Sequence, residues 1–267
     1  MMGQSPEYIC SFLAHEGGTT SASFSPDGQT LATGGYDCNA RLWDVGTWRQ
    51  VRALPGHRRG HVAFSPDGAI LISGGLHRNA IIYDTATWQP NRTLYRTNGI
   101  WDLAFAPEGS RITITQPYDD EDDDARPIEV KNTVTWHTVR TVGVGASIVY
   151  AVAFSPNGEH IAVAVGGGVV GLWSAGFALK LAEFTAHDIA TWGLAFSPDG
   201  STLATGGADN AARLWSAATW TLKYELKHEE MAAEAGYRNG VLCAAFSPDG
   251  KLLVTGGLDG VLMVWKL

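Results

Sequence analysis

Cysteine is scarce in this chain: three in 267 residues, at Cys10, Cys38 and Cys243. They are widely spaced, with no metal-type pairing and no even number, so neither a disulfide framework nor a structural zinc site is indicated. They read as reduced thiols of an intracellular protein. Positive charge is also short, with 19 Lys and Arg against 27 Asp and Glu and a net charge of −8. Phosphate contact needs a basic face, so no nucleic-acid partner is expected. Long apolar runs are missing as well. The longest, 148–154 and 161–173, are bounded by Gly and Pro and fall short of the ~20 residues that span a bilayer. The first 14 residues lack a basic segment followed by an apolar one, so no signal peptide is expected. No membrane contact and a cytoplasmic location follow as expectations. What the chain does have is apolar residues (45%) and ten Trp, ample material for a core.

It also repeats. Phe24-Ser25-Pro26-Asp27-Gly28 returns at Phe64–Gly68, Phe196–Gly200 and Phe246–Gly250, with looser copies at Phe154–Gly158 and Phe105–Gly109. The six phenylalanines lie 40, 41, 49, 42 and 50 residues apart, a fixed period with two insertions. Such a period marks stacked supersecondary units. Each copy sets strand-forming residues before a turn in which Pro presets φ and Gly accepts φ > 0. A second strand follows and ends in Gly-Gly, as in 31–35 and 203–207; a third ends in an aromatic, as in 40–43 and 212–215. A fourth follows at 50–54, 91–95, 138–142, 179–184 and 221–226. With the four strands named a to d in chain order, the sixth unit stops after c. The strand at 8–13, ahead of the first repeat, supplies its missing d. A chain that opens on d and closes on c can pair its ends into a ring and remove its exposed sheet edges.

This pattern, His, then Phe-Ser-Pro-Asp-Gly, then Leu-Ala-Thr-Gly-Gly-x-Asp, then Ala-Arg-Leu-Trp, resembles the WD-repeat (WD40) β-propeller family across essentially the whole chain. The resemblance implies an all-β fold: one closed propeller over 1–267, of six four-stranded antiparallel blades, the N-terminal strand completing the last. The blade signatures lie near 20–54, 60–95, 100–142, 148–184, 191–226 and 240–267 plus 8–13. Seven blades are commoner in that family, and this spacing leaves no room for a seventh. The third repeat departs most, lacking Gly-Gly and Trp and carrying an insertion at 116–125 before a weak c strand at 128–131. A second insertion, 228–239, contains a stretch able to make a turn or two of helix.

His15, Thr33, Asp37 and Trp43 recur as His187, Thr205, Asp209 and Trp215. The types invite a catalytic reading. The resemblance instead implies a hydrogen-bonded tetrad that braces a blade, and repetition argues the same way, since an enzyme needs one constellation. The second repeat keeps His57 and Ser73 but has His77 and Tyr83; the sixth keeps Thr255, Asp259 and Trp265. Trp48, Trp88, Trp136 and Trp220 recur in the c–d turn and read as blade packing. Gly166-Gly167-Gly168 is no phosphate loop, because neither Lys-Ser/Thr nor a helix follows. The acidic run 119–124 lacks the spacing of an EF-hand loop. No catalytic residue, metal or cofactor is assigned.

In an antiparallel meander the d–a and b–c connections emerge at one end, so both insertions share a face. Loops on a rigid scaffold are where function concentrates. Four residues before each repeat Phe stand Thr20, Gly60, Trp101, Tyr150, Trp192 and Leu242. In the family, matching positions commonly contact peptides. The expected function is therefore a non-enzymatic protein-interaction scaffold whose channel mouth and neighbouring loops meet a protein or peptide partner, the chain itself being monomeric. The expected contact residues are Trp101, Tyr150, Trp192, Tyr36, Asp119, Asp120, Asp122 and Asp123. Aromatic faces and carboxylates together favour a partner segment with basic residues. The alternative is a propeller enzyme or small-molecule receptor with a ligand or metal in the channel, for which His61 and Asp102 are the nearest candidates.

Overall fold

The Ser-Pro-Asp-Gly stretches turn the chain as their chemistry dictates. The Ser25 hydroxyl donates to Asp27 Oδ1 (2.5 Å) and accepts the Thr30 amide (2.9 Å), while Asp27 accepts the Gln29 amide (3.0 Å). Ser65, Ser197 and Ser247 repeat this pattern with Asp67, Asp199 and Asp249, and Ser155 does so with Asn157. In the third repeat Ala106 has no hydroxyl. Its turn is held instead by a Glu108–Arg111 ion pair (2.7 Å). The glycine that follows in all six turns has φ between 71° and 74°, a conformation that only glycine adopts at no steric cost.

The computed structural model describes residues 5–77, 79–95, 99–116, 128–145, 148–228 and 240–267. These form six four-stranded antiparallel sheets. Strand β1 is Glu7–Leu13. Blade 1 is β2 (Thr19–Phe24), β3 (Thr30–Gly35), β4 (Asn39–Asp44) and β5 (Arg49–Pro55). Blade 2 is β6 (His61–Phe64), β7 (Ile70–Gly74), β8 (Asn79–Asp84) and β9 (Pro90–Tyr95). Blade 3 is β10 (Asp102–Phe105), β11 (Arg111–Thr115), β12 (Ile128–Asn132) and β13 (Thr138–Val142). Blade 4 is β14 (Val149–Phe154), β15 (His160–Val165), β16 (Val169–Ser174) and β17 (Lys180–Thr185). Blade 5 is β18 (Thr191–Phe196), β19 (Thr202–Gly207), β20 (Ala211–Ser216) and β21 (Leu222–Lys227). Blade 6 is β22 (Val241–Phe246), β23 (Leu252–Gly257) and β24 (Val261–Lys266), and β1 completes it by pairing antiparallel with β24.

Strand a of every blade lines a central channel. The core lies in six wedges between neighbouring blades, the last joining blades 6 and 1 through Leu31, Trp43, Leu262 and Val264. The six-bladed ring with its N-terminal strand in the last blade agrees with the sequence reading. The third a strand is shorter than the expected 100–106. The insertion segment expected to form a turn of helix lies outside the described residues.

Candidate partner-binding site

Four of the six residues at the channel mouth owe their direction to a β-bulge. Register slips between Thr19 and Ser21, Val149 and Ala151, Thr191 and Gly193, and Val241 and Cys243 leave Thr20, Tyr150, Trp192 and Leu242 as the extra residues. A bulge re-aims the side chain it frees. These four line the mouth together with Arg59, His61 and Trp101. The Trp101 and Tyr150 rings stack with centroids 5.3 Å apart and planes 28° from parallel. Trp192 packs over Gly240, where a Cβ would come within 2.4 Å of its ring. Tyr36 covers Gly18 beside the mouth, not among the residues that line it. Asp119, Asp120, Asp122 and Asp123 lie outside the described residues.

Arg59 is the residue that sequence reasoning missed. Its guanidinium lies 4.6 Å from the Trp101 ring centroid, so Trp101 already holds a cation of its own chain. Burial holds this guanidinium below its usual range, opposed by the nearby Tyr36 and Tyr150. Deeper in, His61 Nδ1 stands 3.7 Å from Asp102 Oδ1, and Asp102 Oδ2 accepts the Val152 amide of the next blade (2.8 Å). Ser21 binds blade 1 to blade 2 in the same way, accepting the Val62 amide (3.1 Å). The channel below has a volume of about 340 Å³. Its Cys243 thiol is pushed up to about 12 by burial, which leaves it inert as a nucleophile at neutral pH. Among the described residues, no three His, Cys, Asp or Glu gather as a metal-binding group.

Away from the channel, the repeated polar sets do what a brace requires. His15 bonds Asp37 (2.8 Å) and Thr33 (2.7 Å), and the Trp43 indole N–H donates to Thr33 Oγ1 (2.9 Å). His187, Asp209, Thr205 and Trp215 repeat the arrangement at 2.8, 2.8 and 3.0 Å. Arg41 and Arg213 extend each set by pairing with Asp37 (2.7 Å) and Asp209 (2.8 Å). Their histidines are almost fully buried and burial lowers both pKa values, against the pull of the neighbouring aspartates.

Comparison with known families agrees with this architecture. The model described as WD40, "WD domain, G-beta repeat", matches residues 6–44, 48–84, 136–174, 179–216 and 231–266, more than half of the chain. The chain belongs to the WD40 family. Four of the matched segments run from a d strand to the c strand of the next blade, and the fifth starts after β21; strands a to c of the third blade are not matched, in keeping with its missing motifs. Two Arabidopsis thaliana proteins show local similarity. "U3 snoRNP-associated protein-like EMB2271" is 41% identical over 46 residues, 17% of this chain and 10% of that protein. "U3 snoRNP-associated protein-like YAO" is 46% identical over 44 residues, 16% and 9%. The chain thus aligns with about a tenth of the length of these relatives.

Within this WD40 ring the weaker blades keep part of the brace with different residues. In blade 2 it is Asn79, not His77, that meets His57 (3.0 Å), and Tyr83 turns its hydroxyl to the Pro55 carbonyl instead of to Ser73. In blade 6 the histidine is His228, bonded to Thr255 (2.6 Å), which also accepts the Trp265 indole N–H (2.9 Å). Its place directly after strand d was the available signal, hidden because the insertion separates it from the following Phe246. Asp259 accepts the Val261 amide and leans over Gly257. It makes no ion pair with His228. The Trp residues of the c–d turns all take positive φ, from 56° to 61°, and Phe177 does the same in blade 4 at 59°.

Proposed function

We propose that this chain is a non-enzymatic protein-interaction module that meets its partner at the channel mouth and the d–a and b–c loops around it. WD40 propellers are typically scaffolds for protein contacts. The observation that carries the reading here is the gathering of Trp101, Tyr150 and Trp192 from three successive blades at one mouth. Large aromatics are the side chains that most often dominate binding energy. A catalytic reading has less support, because the His-Asp sets recur as blade braces and, among the described residues, the channel's His and Asp are the loosely spaced His61 and Asp102.

The relatives' names associate them with a U3 snoRNP. The match covers about a tenth of each, and a net charge of −8 disfavours a polyanionic RNA as the direct ligand; a protein partner is the better-supported choice. The expectation of a basic partner rested on open aromatic faces and on the acidic run. Trp101 is in contact with Arg59 and Tyr150, so an incoming cation would compete with Arg59 for it.

The test is binding of the folded chain to an array of short peptides. Trp101→Ala and Trp192→Ala should each weaken retention by ~2 kcal/mol, while Trp48→Ala at the opposite end should not. Retention that survives the Trp101/Trp192 double change in a protein with an unchanged melting curve would show that the aromatics only plug the channel.

A further inference from the structure

Arg59 occupies a backbone conformation that an arginine adopts at a cost. Its φ is 53°, in the left-handed region that disfavours residues with a Cβ. It stands two residues after His57, as Gly17 stands two after His15, and Gly17 has φ 77°. Where blade 1 uses glycine for this bend, blade 2 uses arginine. Among the described residues, Arg59 is the one non-glycine with positive φ in a d–a loop. Strain of this kind persists where the surroundings enforce it, and clusters at functional sites. Here the surroundings are the neighbouring turn: the Leu76 amide bonds the Arg58 carbonyl (3.0 Å), and a Cβ on Gly75 would strike the carbonyls of Arg58 and Arg59.

The guanidinium held there is short of an anion. Arg41, Arg213 and Arg111 each find a carboxylate within 2.7–2.8 Å. Arg59 has no ion pair and no hydrogen bond among the described residues; its contact is the face of Trp101. This guanidinium, half-buried, stays charged, and a partly desolvated charge gains from an anionic partner. Two further nitrogens at the same mouth are buried without partners, Trp101 Nε1 and His61 Nε2. Trp101 Nε1 can only donate. The described loops of this face carry two Lys or Arg residues, Arg58 and Arg59, both in the same turn of blade 2.

Building on the interaction-surface reading, we infer that the partner inserts an aspartate or glutamate side chain into this mouth, its carboxylate received by Arg59. Guanidinium and carboxylate match as two parallel hydrogen bonds. Tyr150, Trp192 and Leu242 frame the position and offer apolar contact to the residues beside the acid. One guanidinium at a narrow aromatic mouth suits a single carboxylate, and the overall negative charge opposes a phosphate backbone.

The test uses the full chain, Arg59→Gly, and short peptides identical except for a central Glu, Gln, Lys or phosphoserine, with a single-stranded RNA alongside. Arg59→Gly restores the residue that blade 1 carries, so it should fold with an unchanged or raised melting temperature. The Glu peptide should bind the parent about tenfold or more tightly than the Gln peptide. That preference should weaken as salt rises and disappear in Arg59→Gly. Gln or Lys peptides bound as well as Glu, indifferent to Arg59 but lost in Trp192→Ala, would overturn this inference and leave the interaction surface standing. Arg59-dependent preference for RNA or phosphoserine would overturn it in favour of a phosphate ligand. Retention of no peptide of any charge would overturn both readings.

Discussion

A histidine in a blade brace is kept neutral by its surroundings, and this sets a pH window for stability. Burial lowers the pKa of His15 and His187 from the ordinary 6.5, and lowers that of His228 to about 4. The unfolded chain takes up these protons first. Stability is therefore full above pH 6.5 and is lost as pH falls through the folded values, about 4 for His228. A shift of that size corresponds to as much as about 3 kcal/mol. His228 Nδ1 is buried with no partner among the described residues, and none of these offsets the charge it would acquire. The turn aspartates Asp27, Asp67, Asp199 and Asp249 are lowered by their serine hydroxyls from the ordinary 3.8. Their contribution fades only below pH 3.8, outside this window. His228→Gln can still offer an N–H to Thr255 but does not titrate. Its unfolding free energy, measured in urea, should vary less between pH 6.5 and 4 than that of the parent. An unaltered slope would mean that His228 is not neutral in the fold.

At the scale of one strand or turn, the third blade is where the repeat chemistry is incomplete. Five turns carry a serine that donates to an acid or amide two residues on and accepts an amide five residues on. The third has Ala106, fully buried, and relies on the exposed Glu108–Arg111 pair, a type worth little. Ala106→Ser with Glu108→Asp should install the missing bonds and stabilise by about 1 kcal/mol. For a chain of this size that raises the melting temperature by roughly 2–4 °C; no rise would show that the third turn has adapted around alanine. Strand identity and blade number were legible in the sequence because turns of this kind are local chemistry. The mouth was legible only in part. Trp101, Tyr150 and Trp192 could be aligned by counting back from each Phe, but Arg59 stands in a loop, where charge reads as solvated. What places it on Trp101 is the stacking of blade 3 beside blade 2, a relation between residues 42 positions apart. Asn79 and His228 escaped for a similar reason: each fills its role from a shifted position that only the folded blade brings to the brace.

The whole ring is held by contacts that run around it. At the a–b end, each turn glycine faces the proline of the preceding blade's turn. A Cβ built on Gly28, Gly68, Gly109, Gly158, Gly200 or Gly250 would stand 3.3–3.9 Å from Pro248, Pro26, Pro66, Pro107, Pro156 or Pro198 respectively. The circuit therefore passes from Pro248 of blade 6 to Gly28 of blade 1 without a break. Covalent continuity does not: it crosses the closure only through β1, paired with β24 from Glu7–Lys266 to Leu13–Val261. Phe12 meets the Trp43 ring at 4.6 Å and Tyr8 meets Trp265 at 5.8 Å. The Ala14 and His15 amides bond the Gly260 carbonyl. Starting the chain at His15 removes this strand and leaves β24 as an open edge, a template for pairing with other chains. Losing one aromatic contact of this kind costs on the order of 3 kcal/mol, so the melting temperature should fall by roughly 6–12 °C. The truncated chain should also associate as its concentration rises. A synthetic peptide of residues 5–14, added in excess, should restore both the melting temperature and the monodisperse state, because the closure needs a paired strand and not a peptide bond. If the truncated chain melts where the parent does, the blades are held by their wedges alone and β1 is not the clasp.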